Sequence, residues 1–266
     1  MNLKVNKRII LITLLMLVFS IGFMISWQLL LTDNLDTYSY IEVLGEFLSF
    51  CIAAIFAFFL FEKVHTFFRI KGIKKGLLIA FPIYILIAAL LIKSLVGLSI
   101  SDIEYQGVDA TFRYILFMIC VGLFEELLFR GILLNVFIKV FENKENKELK
   151  ALMVSSLLFG MVHFLNILGG QHYLVTIGQV IYTISLGLIF GLIYLKSGNL
   201  IAAIIAHVML NIVAMFTVLI YPTTQIADVS FMSNLINALI SIGISVPMYL
   251  SSYWIYKKYI SNHKGI

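Results

Sequence analysis

Glu125 and Glu126 stand side by side in an apolar run. Two further apolar runs carry His163 and His207, the latter with Asn211 four residues on. Carboxylates, imidazoles and a carboxamide are the groups that take up and return protons or donate hydrogen bonds to a developing negative charge. A charged side chain at mid-bilayer costs about 2.5 to 3.5 kcal/mol on insertion scales and is kept chiefly where it faces a cavity. The helical period separates the two acids. Glu126 and Arg130, four apart, stack on one face and pair, whereas Glu125 is turned about 100° away. A paired Glu126 would be charged and rigid, and Glu125, desolvated beside another acid, would be suited to exchanging a proton near neutral pH. Phe159 with His163, and His207 with Asn211, repeat the spacing of four, so each pair aims two groups at one target.

One glutamate and two histidines (Glu125, His163, His207) suffice as the protein ligands of a catalytic divalent metal such as Zn2+ with an open water position. They suffice equally for metal-free hydrolysis, in which Glu125 and His163 activate a water while His207 and Asn211 donate hydrogen bonds to the oxyanion. The residues leave both open. No HExxH stands in the chain, and no Ser or Cys nucleophile accompanies these groups in comparable context, so activated water is the economical attacking species.

The rest of the sequence has to deliver these groups to one place. With 61% hydrophobic and 12% charged residues over 266 positions, and a mean hydropathy of +1.03, the chain reads as an all-α, polytopic membrane bundle and not as a soluble domain. The net charge of +5 comes from Lys and Arg in short connections. No interleaved basic and aromatic surface suggests nucleic acid, and the partner expected of such a bundle is membrane lipid. Cys51 and Cys120 lie in separate apolar runs without CxxC spacing and read as packing residues. The run from Ile9 to Leu31 is too long for a signal peptide's apolar region and reads as a retained first span.

Runs of spanning length fall near Ile9 to Leu31, Val43 to Phe61, Leu77 to Leu98, Phe112 to Ile138, Ala151 to Leu168, Leu174 to Leu195, Leu200 to Ile220 and Met232 to Trp254. About eight transmembrane helices are therefore expected. The connections alternate between basic (Lys4, Lys7, Arg8; Lys63 to Lys75; Lys196; Lys257, Lys258, Lys264) and acidic (Asp33, Asp36; Asp102, Glu104, Asp109; Asp228), which places both termini on the cytoplasmic side. Between Lys139 and Lys150 the connection is mixed, and that holding His172 is uncharged. Arg69 to Gly76 reads as a basic amphipathic connector at the headgroups, and Lys93 and Arg113 as snorkelling residues. Gly187 and Gly191 form a small-residue face for close helix packing. Without a repeat or a long linker, residues 1–266 read as one domain with a motif-bearing core over about 112–220. At about 1.5 Å per residue, Glu125 lies roughly 21 Å from Lys139, His163 roughly 20 Å from Lys150, and His207 and Asn211 roughly 17 and 22 Å from Lys196. Three helices thus bring their polar groups to one depth.

Glu125 to Arg130 reads EExxxR, Phe159 to His163 reads FxxxH, and His207 to Asn211 reads HxxxN. Three such motifs in this order, each in its own apolar run, with Ser155-Ser156-Leu157-Leu158 and Gly198-Asn199-Leu200 beside them, resemble the CAAX protease and bacteriocin-processing enzyme family, also called Abi proteins. The resemblance covers about Gly122 to Asn211. It implies an intramembrane endopeptidase that cuts near the C-terminus of a lipid-associated or very apolar polypeptide. In that family the positions of Glu125 and His163 activate water, those of His207 and Asn211 stabilise the tetrahedral intermediate, and those of Glu126 and Arg130 support the site. Members are described as metalloproteases, with the metal disputed. Eukaryotic relatives act on prenylated CAAX proteins, whereas bacterial ones are linked to bacteriocin immunity and pheromone processing. The compact, Ile- and Lys-rich chain leans to a bacterial cell membrane and a short membrane-bound peptide. Two other classes share some of these features: a proton-coupled carrier, against which no repeat and no Pro or Gly interruption of the Glu125 or His207 helix is seen, and a non-catalytic scaffold regulating a sensor kinase or exporter.

Overall fold

A computed structural model describes residues 7–31, 38–61, 64–98, 105–219 and 230–259, and all regular structure among them is helical. Its order is α1 (Lys7–Leu31), α2 (Tyr40–Leu60), a 3-10 turn (Val64–Phe68), α3 (Ile73–Ile79), α4 (Phe81–Leu98) and α5 (Val108–Glu126). A π-helical segment (Leu127–Leu134) follows, then α6 (Asn135–Val140), α7 (Lys147–Met161), a 3-10 turn (Val162–Ile167), α8 (Tyr173–Ser197), α9 (Leu200–Ala214), a 3-10 turn (Phe216–Leu219) and α10 (Phe231–Tyr259). Within the described residues the apolar runs of the sequence fall on helical elements, several of them divided between two or three. By length and composition four rods can cross a membrane, namely α2, α7 with its 3-10 extension, α8 and α10, and the bent α3–α4 pair makes a fifth if taken as one span. By the same measure α9 is short and α5 carries Asp109, Arg113, Glu125 and Glu126. Of the charges that orient the chain, Lys4, Asp33, Asp36, Lys63, Asp102, Glu104, Asp228 and Lys264 lie outside the described residues, as does His263.

Leu77 to Leu98 is not one straight helix. α3 and α4 meet at Ala80 with a bend of 59°. Pro82 has no N–H to offer the carbonyl four residues back, and its ring crowds the preceding turn, so the helix breaks there. Part of the connector read as a headgroup anchor is thereby absorbed into α3. Arg113 also differs from expectation: its Nε donates to Asp109 at 2.9 Å and its Nη1 to the Tyr38 carbonyl at 3.4 Å. Since Tyr40 donates its hydroxyl to the same Asp109 at 2.7 Å, Arg113 ties the starts of α2 and α5 together.

Close helix approach rests on small residues. Gly187 of α8 lies against Ser156 of α7, where a methyl group would stand 3.0 Å from the Ser156 Cβ, and Gly191 lies against Leu152. The expected small-residue face is thus an α7–α8 contact. At Gly122 of α5 a methyl group would come within 2.5 Å of Val208 Cγ2 on α9. Gly198, at φ +63° in the left-handed region, ends α8, and Asn199 caps α9 by accepting from the Ala202 N–H at 3.2 Å. The Asn199 amide also donates to the carbonyls of Arg69 and Lys71, so the start of α9 is pinned to the connector before α3. Gly122→Leu is expected to overpack the α5–α9 contact at a cost of about 1–3 kcal/mol. A lowered midpoint of thermal unfolding in detergent checks this.

Candidate active site

α5 ends at Glu126, and the next eight residues follow a π-helical path that sequence periodicity did not foretell. A change of helical register frees carbonyls that other donors must satisfy. Here Ser155 Oγ donates to the Phe129 carbonyl at 2.8 Å, and Asn135 Nδ2 donates to the carbonyls of Arg130 and Gly131 at 3.0 and 2.8 Å. The helix bearing Glu125 thus changes register after Glu126 without a proline, and side chains of α6 and α7 take up the carbonyls this frees.

Glu126 is fully buried and Arg130 is 1% exposed, and Arg130 Nη1 donates to Glu126 Oε1 at 2.7 Å. The guanidinium carbon lies 4.2 Å from the ring centre of Phe159 (α7) and 5.2 Å from that of Phe190 (α8). Aromatic faces attract a cation, and a planar guanidinium exploits two of them at once. The expected Glu126–Arg130 pair is thus present, and Phe159 supports it. His207, also buried, sets Nδ1 2.8 Å from the same Glu126 oxygen while Nε2 lies 3.4 Å from Glu125 Oε2. Its ring stacks on Phe190 at 4.8 Å and meets Phe159 edge-on at 6.0 Å. Since a carboxylate accepts, Nδ1 is the donor toward Glu126. His207 therefore spans the two glutamates, a linkage the sequence did not announce.

A cavity of about 710 Å³ opens beside this cluster, and Glu125, Phe159, His163, His207 and Asn211 all line it. Glu125, with its side chain about one-fifth exposed, is less desolvated than expected. His163, in the 3-10 turn after α7, lies 2.9 Å through Nδ1 from the Phe159 carbonyl. A carbonyl can only accept, so Nδ1 carries the proton and a neutral His163 presents an acceptor at Nε2. Phe159 meets the His163 ring edge-on at 5.4 Å. Asn211 has its backbone carbonyl, and that of Ile212, held by the Tyr114 hydroxyl at 3.4 and 2.5 Å, which anchors the last turn of α9 to α5.

Glu125, His163 and His207 were also candidates for holding a metal together. Among the described residues no three His, Cys, Asp or Glu side chains are placed to do so. Each imidazole spends Nδ1 on a protein acceptor: His207 gives it to Glu126 and sets Nε2 3.4 Å from Glu125, and His163 gives it to a backbone carbonyl.

The cavity has walls the sequence reading passed over. α2 contributes Glu42 and Glu46, and α8 contributes Gln179, Tyr182 and Thr183, with Asn166 donating to Gln179 at 2.9 Å. Glu46 sits in mid-run like Glu125, so the rule that singled out the one could have found the other. Of the histidines outside the three motifs, His65 is exposed, whereas His172 is half-buried and caps α8 by accepting from the Leu174 N–H at 3.3 Å. Cys51 and Cys120 are free thiols, as their spacing suggested.

Arg130→Ala would leave Glu126 buried without its cation, and removing one partner of such a pair typically costs about 3–5 kcal/mol. We expect a correspondingly lower unfolding midpoint and yield, with Arg130→Lys restoring little because an ammonium cannot lie flat between Phe159 and Phe190. Thermal unfolding of the purified variants in detergent is the check.

No curated protein matches the chain closely enough to name a relative. A family model does match, over residues 107–213, the stretch from the cap of α5 into the last turn of α9 that contains Glu125, Glu126, Arg130, Phe159, His163, His207 and Asn211. That model describes the type II CAAX prenyl endopeptidase Rce1-like family, to which this segment of the chain is similar.

Proposed function

We propose that the chain is an intramembrane endopeptidase that hydrolyses a peptide bond of a hydrophobic or lipid-associated substrate with water activated by Glu125 and His163. The observation that carries the reading is the cavity wall itself. There an accessible carboxylate, an imidazole whose Nε2 is left as an acceptor, and the Asn211 amide face one space beside the buried Glu126–Arg130–His207 cluster. The match of the motif segment to a CAAX endopeptidase family model supports the reaction class.

In this mechanism a water is held by Glu125 and by His163 Nε2. Glu125 removes its proton as the oxygen attacks the carbonyl carbon. The carbonyl oxygen becomes an oxyanion that receives a hydrogen bond from the Asn211 amide. His207 adds a second donor when its ring is the imidazolium, because its Nδ1–H is committed to Glu126 and only a protonated Nε2 can donate into the cavity. As the tetrahedral species collapses and the C–N bond breaks, the proton on Glu125 passes to the leaving amine. Glu126, Arg130 and Phe159 hold His207 in register.

For the setting, we propose a multi-pass protein of a bacterial cell membrane with eight crossings and both termini cytoplasmic. The helices long and apolar enough to cross a membrane and the alternation of basic and acidic connections support a multi-pass topology. A short membrane-bound peptide, as in bacteriocin immunity or pheromone processing, suits the compact chain as substrate.

Glu125→Gln and His163→Ala are each expected to lower cleavage of apolar peptides by about a hundredfold or more while leaving the unfolding midpoint unchanged. Asn211→Ala is expected to cost about 2.7–4 kcal/mol of transition-state stabilisation. Product analysis by mass spectrometry with purified protein in lipid nanodiscs reads both. Undiminished cleavage by Glu125→Gln, or peptide counterflow in liposomes without cleavage, would overturn the proposal.

A further inference from the structure

Glu126 and Glu46 are both buried acids, and the fold treats them differently. Glu126 has Arg130 and His207. Glu46, on α2, is 5% exposed, its Oε2 has no hydrogen-bond partner, and it lines the cavity. The carboxylates nearest to it among the described residues are Glu42 and Glu125. Glu42 lies one turn before it on the same face of α2 and lines the same cavity, and Glu125 is close enough to repel it. Among the described residues no Lys or Arg lines this space. Like charges four apart weaken a helix, and a buried carboxylate without a partner is costly, so nothing in the chain itself compensates this placement.

We infer that Glu46, with Glu42, forms an acidic wall that receives a Lys or Arg side chain of the substrate a few residues from the bond that is cut. This rests on reading the cavity as a peptide-binding cleft. A cation supplies what Glu46 lacks: a charge-assisted hydrogen bond to the free Oε2 and relief of the repulsion among Glu42, Glu46 and Glu125. A bare metal ion is a poorer occupant, since these acids are not placed to hold one. An anionic group would be repelled. Long basic side chains suit the position because their methylene stems can lie along the apolar wall formed by Ile21, Ile25 and Phe117 while the charged head reaches the carboxylates. Glu42 adds its charge from a fixed place, because its Oε2 accepts from the Ser39 N–H at 2.7 Å and holds the side chain at the start of α2. Such a pair adds selectivity between substrates, because an uncharged residue at that position leaves the acids uncompensated.

The test uses leucine–alanine membrane peptides in which a single Lys, N-acetyl-lysine or Glu is walked through the sequence. Binding is measured to Glu125→Gln protein in nanodiscs, and cleavage to the wild type. The expected result is a position at which Lys is favoured over N-acetyl-lysine by about tenfold or more, with Glu disfavoured. Adding Glu46→Gln should remove that preference. No charge preference in the wild type, or a preference that survives both Glu46→Gln and Glu42→Gln, overturns the inference. The wild-type comparison of Lys with its acetylated form decides even if Glu46→Gln fails to fold. If peptides bind with this preference and none is cut, the acidic wall stands and the endopeptidase reading falls.

Discussion

The fully buried carboxyl group of Glu126 is the constraint around which the other groups are arranged. Its one strongly bonded oxygen accepts from Arg130 and from His207, and the guanidinium is in turn held between Phe159 and Phe190. An ion pair removed from water gains little net stability and is strongly destabilised if half of it is lost, so such a pair serves to fix geometry more than to hold the fold together. The four residues that meet Glu126 or its cation come from the π segment, α9, α7 and α8. A single carboxylate thereby sets the mutual register of the elements that border the cavity.

That arrangement depends on features that work against regular helix. The π segment puts Arg130 and Phe129 on a path an ordinary helix would not follow, and it persists because Ser155 and Asn135 take up the carbonyls it frees. Gly122 allows α9 to approach α5 closely one turn before the paired glutamates, and Gly187 and Gly191 allow α7 and α8 to do the same. The Tyr114 hydroxyl and the Asn199 cap hold the two ends of α9, so His207 and Asn211 sit on a helix fixed at both termini. Reactivity and rigidity are divided between neighbours in sequence: Glu126 faces the buried cation, while Glu125 faces the cavity.

Much of this was legible in the residues. Apolar runs marked the helical rods, because a chain that must satisfy its backbone in lipid has few alternatives to helix. The spacing of four joined Glu126 to Arg130, Phe159 to His163 and His207 to Asn211, since helical geometry makes such neighbours local. Contacts between distant segments were not legible in the same way. That His207 would touch both glutamates, that Phe190 would stack on it, and that α2 would add Glu42 and Glu46 to the same space depend on how rods pack against one another. The bend at Ala80 was readable from Pro82, and the straight span expected there passed over it.

By itself the sequence determined the helical character of the chain, its affinity for a membrane, and the types and local pairing of the groups able to do chemistry, all of which follow from hydrophobicity and the 3.6-residue period. Tertiary structure alone decided which nitrogen of each imidazole is engaged, that His207 reaches both glutamates, and that Glu46 stands in the cavity with an oxygen that nothing bonds. The physical reason is one of range. Periodicity acts over a turn or two of one helix, whereas these arrangements are set by side chains from separate helices competing for the same buried space.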